Sequence, residues 1–340
     1  MSGTGGFQTL GYTQPAAGVP GARASLNTNL FSVLAGPSGL VAGVGGVMIG
    51  AWCWTQPPVD PNETNQIAYS FGSGSPAGFV ARELQGQNST FLSFAGMTIL
   101  QGYDVVAYNA GEFWVVNNGT TYCQPGMKAY ANFANGLTSF AATGAPSTAA
   151  SATGSTINSP TAGTNSFTGS IADDVLTVTG TVTGTGTSTA GVWPGTVLTG
   201  AGVASGTTIL SQITGTAGQA GTYLVSIGGQ AVASEAITGT YGLMVVGTLT
   251  TTPPFAVGDI LNATGSVVAG STVTYIYSGA GGTGSVMVIG GSATITTTVV
   301  TSATISAVSN IETKFFARSG GAAGAVIKIS STPLAGQVAA

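Results

Sequence analysis

Apolar positions along this chain recur in short β-branched runs broken by glycine, not at helical spacing. Val47, Ile49, Ala51 and Cys53 alternate with Met48, Gly50, Trp52 and Trp54, so a strand here carries two apolar faces and belongs in a core or an interface. Further strands are expected at Phe79–Leu84 and Thr90–Phe94, with Arg82–Leu84 alternatively opening a short helical turn, and Asp60–Thr64 reads as a turn. Two hairpins follow. Tyr103–Tyr108 and Glu112–Val116 flank Asn109-Ala110-Gly111, and Lys128–Phe133 and Leu137–Phe140 flank Ala134-Asn135-Gly136; both loops put glycine where a left-handed residue is wanted. A third hairpin, Glu312–Arg318 with Ala325–Ser330 across Gly320-Gly321, ends the pattern. The uncharged run from Ala35 to Trp54 holds Pro37 and six glycines, which suits a pair of short strands and not a membrane span.

Between these hairpins one phrase occurs twice. Trp193-Pro-Gly-Thr-Val-Leu198, Ser205-Gly-Thr-Thr-Ile209 and Gly221-Thr-Tyr-Leu-Val-Ser226 are answered by Ala256-Val-Gly-Asp-Ile-Leu261, Ala269-Gly-Ser-Thr-Val273 and Gly284-Ser-Val-Met-Val-Ile289. Gly195 and Gly258 are offset by 63 residues, Gly206 and Gly270 by 64. The pattern reads as a tandem repeat of small β-modules, with runs such as Leu176–Thr179 and Ala293–Val300 as strands. Each copy is long for a solenoid unit, so a sandwich or barrel is expected.

Composition then separates the parts. The chain has 340 residues, of which 5% are charged and 43% hydrophobic, so it folds yet has little surface charge to oppose association. Between Thr143 and Ile305 there is no Lys or Arg, and Asp173, Asp174, Glu235 and Asp259 carry the whole net charge of −4. Clustered basic residues are what nucleic acid requires, and nucleic acid and membrane are both excluded as partners on this reading. Residues 1–35 read as an extended arm around Pro15 and Pro20 that orders on a neighbour. Residues 36–142 plus 306–340 share charge and aromatics and read as one all-β, barrel-like base domain closed by the C-terminal hairpin. The small polar stretch 143–166 reads as a linker, 167–242 as the first projecting module and 243–305 as the second, the pair being an insertion in the base.

Little catalytic chemistry is on offer. There is no histidine, which removes the Ser-His-Asp triad, the Cys-His dyad and any His-containing zinc site. No phosphate-loop lysine follows a glycine-rich turn. Asp173-Asp174 reads as a hairpin tip; its spacing is not that of a calcium loop, nor does it make a glycosidase pair. No catalytic, metal or cofactor site is assigned. Cys53 and Cys123 are read as buried thiols, and the Asn-X-Ser/Thr sequons as chance in a Thr-rich chain. Trp52, Trp54, Phe113, Trp114 and Tyr122 concentrate the aromatics, either filling the base core or anchoring a partner. Trp52, Trp54 and Trp114, with Arg23 and Arg82, are the candidate interface residues; Trp193 is read as core, with Phe255 in the matching region.

Ser32–Gly43, Gly126–Gly136, Glu312–Arg318 and Val326–Ser330 resemble the structural cement, or head decoration, proteins of tailed bacteriophages. The phrases Phe167-Thr-Gly-Ser-Ile171 and Gly221-Thr-Tyr-Leu-Val-Ser226 look like Gly/Thr-rich modules of phage virion proteins. The resemblance implies a homo-oligomer on the outer surface of the head, bound to the major capsid protein and opposing the pressure of packaged DNA. An adhesin or fibre-like module whose repeats bind host glycans is the alternative, and a glycan hydrolase is the weakest reading.

Overall fold

The computed structural model describes residues 18–25, 29–33, 39–56, 65–83, 96–144, 150–185, 190–251, 254–263, 271–290 and 300–332. The expected strand at Thr90–Phe94, the turn at Asp60–Thr64, most of the N-terminal arm and all but the last residue of the run Ala293–Val300 lie outside these. Among the described residues the elements are strands and turns, with no helix. The first part of the chain supplies β1 (Phe31–Ser32), β2 (Leu40–Ala42), β3 (Val47–Met48), β4 (Trp52–Gln56), β5 (Gln66–Tyr69), β6 (Gly78–Val80), β7 (Thr98–Ile99), β8 (Ala107–Ala110), β9 (Glu112–Val116), β10 (Lys128–Asn132) and β11 (Thr138–Ala141). Then come β12 (Ser151–Asp173), β13 (Val175–Thr185), β14 (Val197–Thr199), β15 (Ile209–Gly215), β16 (Gly221–Val225), β17 (Gln230–Val245), β18 (Thr248–Leu249), β19 (Ile260–Ala263), β20 (Ser271–Ser278), β21 (Val286–Gly290) and β22 (Val300–Val308). The last two are β23 (Asn310–Ala317) and β24 (Val326–Ser330).

The base is built from two open sheets, ordered β1-β8-β6-β4-β5-β2 and β11-β10-β23-β24-β9, beside the short β3–β7 pair. It was expected to be barrel-like; aromatics hold its two sheets face to face instead. Trp52 meets Phe79 edge-on at 5.3 Å and Phe315 of the other sheet at 5.1 Å, and Phe113, Ile327 and Ile329 complete the layer. The C-terminal hairpin β23–β24 forms, and it sits inside the second sheet between β10 and β9. Arg82–Glu83 is not helical but runs on from β6, its Arg82 N–H donating to Gly21.

The stretch read as a linker is different. From Ser151 onward it is the first part of β12, which pairs with β22, β18, β17 and β13 in turn. Ser and Thr are at home in a strand once partners exist on both sides, so pairing outweighs the composition that suggested a tether.

The two phrases fold alike in backbone detail. Gly195 N–H donates to Ile209 at 2.7 Å and Gly258 N–H to Val273 at 2.8 Å; Ile209 and Val273 return the bond to Thr196 and Asp259, both at 2.9 Å. The side chains of Thr196 and Asp259 accept from Trp193 and Ala256 N–H respectively. Bulges recur at matching places, between Ile209/Ser211 and Gln212/Thr214 in β15 and between Val273/Tyr275 and Ile276/Ser278 in β20.

The two units are nested in the chain. In the inner unit β12 pairs β13 and β17, with Ile171 opposite both Leu176 and Val232. In the outer unit the corresponding partners of Ile157 are Met244 of β17 and Val300 of β22. The first strand of the outer unit thus precedes the inner unit in sequence, and its second is the C-terminal part of β17, which follows it. The boundary expected between residues 242 and 243 falls inside β17, because one continuous strand serves both units. From there the outer pairings run β17–β21–β20–β19–β22 and back to β12, around Met244, Leu261, Val273, Met287 and Ile305. The inner unit encloses Leu176, Leu198, Ile209, Tyr223 and Ile237.

Candidate functional site

The sequence-predicted interface residues do not converge. Trp52 and Trp54 are buried in the base core, Trp52 donating to Thr138 and Trp54 to the Gly74 carbonyl, both at 2.9 Å. This corrects their assignment to an interface: they join the sheets, and neither offers a face to a partner. Alternation in β4 concealed this, since both of its faces are covered. Trp114 is half-buried; Lys328 lies 4.9 Å over its ring and Gly18 packs against it so closely that a Cβ there would enter the indole. Arg23 is tied to Glu83 at 2.7 Å and to the Tyr108 hydroxyl at 3.1 Å. Arg82 is exposed, with its guanidinium on the Met97 sulfur.

The arm segment that carries Arg23 has a defined place. Gly21 donates to Trp114, Trp114 donates back to Ala22 at 2.9 Å, and Ala24 donates to Glu112 at 2.9 Å, so residues 21–24 run along the outer edge of β9. The opposite edge of that sheet is β11, which lines a groove of about 690 Å³ with the Asn118–Thr121 loop on one side and Pro254, Ala256 and Ser309 on the other.

A surface that sequence reasoning missed lies at the β3–β7 pair. Met48 is 37% exposed, Leu100 54% and Tyr103 47%. Met48 stands opposite Thr98, two residues before Leu100, and Tyr103 N–H closes a turn on the Leu100 carbonyl. Their signal in the sequence, large apolar residues beside Gly102 and Asp104, does not separate them from core.

Charge is used sparingly and structurally. Lys128 is buried between Glu312 at 3.4 Å and the Phe316 ring at 4.0 Å, donating to the Thr313 carbonyl. Burial works to raise the Glu312 carboxyl, but the Gly144 N–H, the Tyr130 hydroxyl and Lys128 outweigh it and leave it below the ordinary value. Burial raises Asp259, against donation from Ser309 and Ala256. Burial also raises Asp174, with the neighbouring Asp173 adding to it. Burial lifts Tyr69 of the base to about 12, with the carboxylate of Asp174 adding to it. Asp173 takes a left-handed φ of 60° at the β12–β13 tip and accepts from Gly229 N–H. Cys53 and Cys123 are both buried and free, and burial lifts each thiol to about 12, which keeps them unreactive.

Among the described residues no group of three or more His, Cys, Asp or Glu could hold a metal, and no helix is long and apolar enough to cross a membrane. The joints between parts are packed. Trp193 stacks on Tyr275 at 4.5 Å where the inner unit meets the outer, and Ser309 donates to Asp259 at 2.6 Å where the outer unit meets the base.

No curated protein and no solved structure matches the chain. A family described as XM1 gp53 minor capsid protein matches residues 7–228, more than half of the length, covering the base up to β11 and the inner unit up to the turn before β17. By this match the chain belongs to this family of phage minor capsid proteins, and is a structural component of the virion.

Proposed function

We propose that the chain decorates and cements the outside of the assembled phage head, holding the shell against the pressure of its packaged DNA. The base is the capsid-binding part, the major capsid protein is its partner, and the inserted units are two copies of one module carried by the base. The observation that supports this most directly is the exposed cluster of Met48, Leu100 and Tyr103. Large apolar side chains grouped on a surface with few charges mark a contact site, and an aromatic with aliphatic neighbours is the usual composition of an energetic hot spot. Binding the assembled lattice and not free subunits stabilises the lattice by mass action, and many copies bridging neighbouring capsomers multiply that effect.

The test is cosedimentation with emptied shells stripped of surface proteins. The full chain is expected to bind to saturation and to raise the temperature at which the shells come apart. Leu100→Asp with Tyr103→Asp is expected to weaken binding on the order of a hundredfold, as loss of a hot spot does. If the chain ignores shells and adheres to bacterial surfaces instead, it belongs to the adsorption apparatus and the cement reading fails.

A further inference from the structure

The five-stranded sheet of the base is finished differently at its two edges. At β9 the chain's own residues 21–24 supply the missing ladder bonds. At β11 none of the described strands does so. Asn132 N–H donates to Leu137, which turns the polar groups of Leu137, Ser139 and Ala141 toward β10 and those of Thr138 and Phe140 outward. The Thr138 carbonyl takes Asn118 N–H at 2.8 Å. The backbone N–H and C=O of Phe140 face the groove of about 690 Å³ that runs along Leu137–Ala141.

An edge of this kind is a template for another strand. The groove has a particular chemistry: every residue lining it is uncharged, with asparagine, threonine and serine side chains along both walls. Such walls accept a neutral extended peptide and offer nothing to a charged one. Its aromatic residues, Tyr130 and Phe140, are buried, which leaves no ring face for a sugar to stack on.

We propose that this edge takes the N-terminal segment of a second copy of the chain, within residues 1–17, as an added strand. Three observations select this occupant. Residues 1–17 contain no Asp, Glu, Lys or Arg, matching the neutral groove. Gly18 is pinned against Trp114 at the opposite edge of the sheet, so the segment starts from a fixed point on the outside of the base. At about 3.3 Å per extended residue it reaches roughly 55 Å, enough to cross to a neighbour. The contact is head-to-tail, arm to groove, and such contacts close into rings when the rotation allows. It deepens the cement reading by naming the surface through which copies join, and it rests on that reading only for its place on the shell.

Native mass spectrometry tests it with the full chain, a chain lacking residues 1–17, and Ser139→Asp, a change that puts an unpaired charge and two further heavy atoms in the groove. The full chain is expected to self-associate and each variant to be monomeric. An equimolar mixture of the two variants is expected to give a dimer and nothing larger, because one supplies only the groove and the other only the arm. A synthetic peptide of residues 1–17 should bind the truncated chain saturably, and on the order of tenfold or more weaker once Ser139→Asp is added. The peptide measurement on the truncated chain needs no substitution, so a misfolded variant leaves the proposal exposed to refutation. A monomeric full chain, oligomers that survive both changes, or a peptide that does not bind each overturns it; peptide binding with a monomeric full chain means that the arm docks on its own groove. Shell cosedimentation of the same samples separates the two readings, since a chain that coats shells while arm and groove ignore each other loses only this proposal.

Discussion

Single residues at the joints carry consequences that their neighbours do not. Gly258 has φ 92° and packs against Ala134 of the base, with a Cβ falling 2.7 Å from the Ala134 Cα, whereas Gly206 has φ 86° and open space around it. Gly206→Ala is therefore expected to cost only the left-handed backbone, about 1–2 kcal/mol. Gly258→Ala adds overpacking against main chain, another ~1–3 kcal/mol, and denaturant midpoints of the two variants check the difference. Asp259 gives a pH signature. Its pKa is raised in the fold, by burial above all, so the folded state holds a proton that the unfolded chain has released. Its contribution to stability is then full below the ordinary carboxylate range and is lost as pH rises through and just above it. Asp259→Thr, the residue type that Thr196 supplies at the matching position, keeps an acceptor for Ala256 N–H and should remove that decline in a urea series from acid to neutral pH. Glu312 has the opposite sign: its lowered pKa gives stability that is present at neutral pH and lost on acidification. The repeated glycines that bear on these predictions were legible in the sequence, because glycine at a left-handed turn leaves a spacing that reads in one dimension. The burial of Trp52 and Trp54 was not, since a strand apolar on both faces looks the same in a core and at an interface.

At the scale of elements, two of the three expected hairpins formed and long strands were not legible. Tyr103–Tyr108 and Glu112–Val116, expected as a hairpin, do not pair, because the chain passes at Gly111 from one sheet to the other, β8 pairing with β1 and β6 and β9 with β24. Lys128–Phe133 with Leu137–Phe140, and Glu312–Arg318 with Ala325–Ser330, were marked by their turn residues and correspond to β10–β11 and β23–β24. β12 carried no such mark, because Ser, Thr, Gly and Ala in its first half specify no face of their own; its partners β17 and β22 specify it. The Trp193–Tyr275 stack joins β20 to the loop before β14 and sits over Tyr241, Leu243 and Val288. Trp193→Ala is expected to cost about 3–5 kcal/mol, the usual range for emptying a large aromatic site. Hydrogen exchange should show the loss concentrated at this joint, with protection of the base strands β10 and β23 unchanged; uniform loss across the molecule would mean that base and units unfold as one.

At the scale of the whole molecule, nesting makes the two units unequal. The inner unit leaves and rejoins the outer one at neighbouring strands, Asn158 standing opposite Leu243. Replacing residues 159–242 by an Asn-Gly turn is expected to leave a base and outer unit that unfold cooperatively. Removing 243–305, the cut that a tandem reading recommends, takes the partners of Ser151–Asn158 away on both sides and should yield an insoluble or proteolysed chain. Circular dichroism and limited proteolysis of the two deletions decide between these arrangements. By itself the sequence determined the all-β class, the two matching phrases, the closing hairpin and the near absence of catalytic groups, because periodicity, turn residues and composition are local properties. Only the tertiary structure decided which strands pair across more than a hundred residues, which aromatics are covered, and which edge of the base sheet no described strand pairs. Those depend on partners brought together from distant parts of the chain, and no local pattern encodes them.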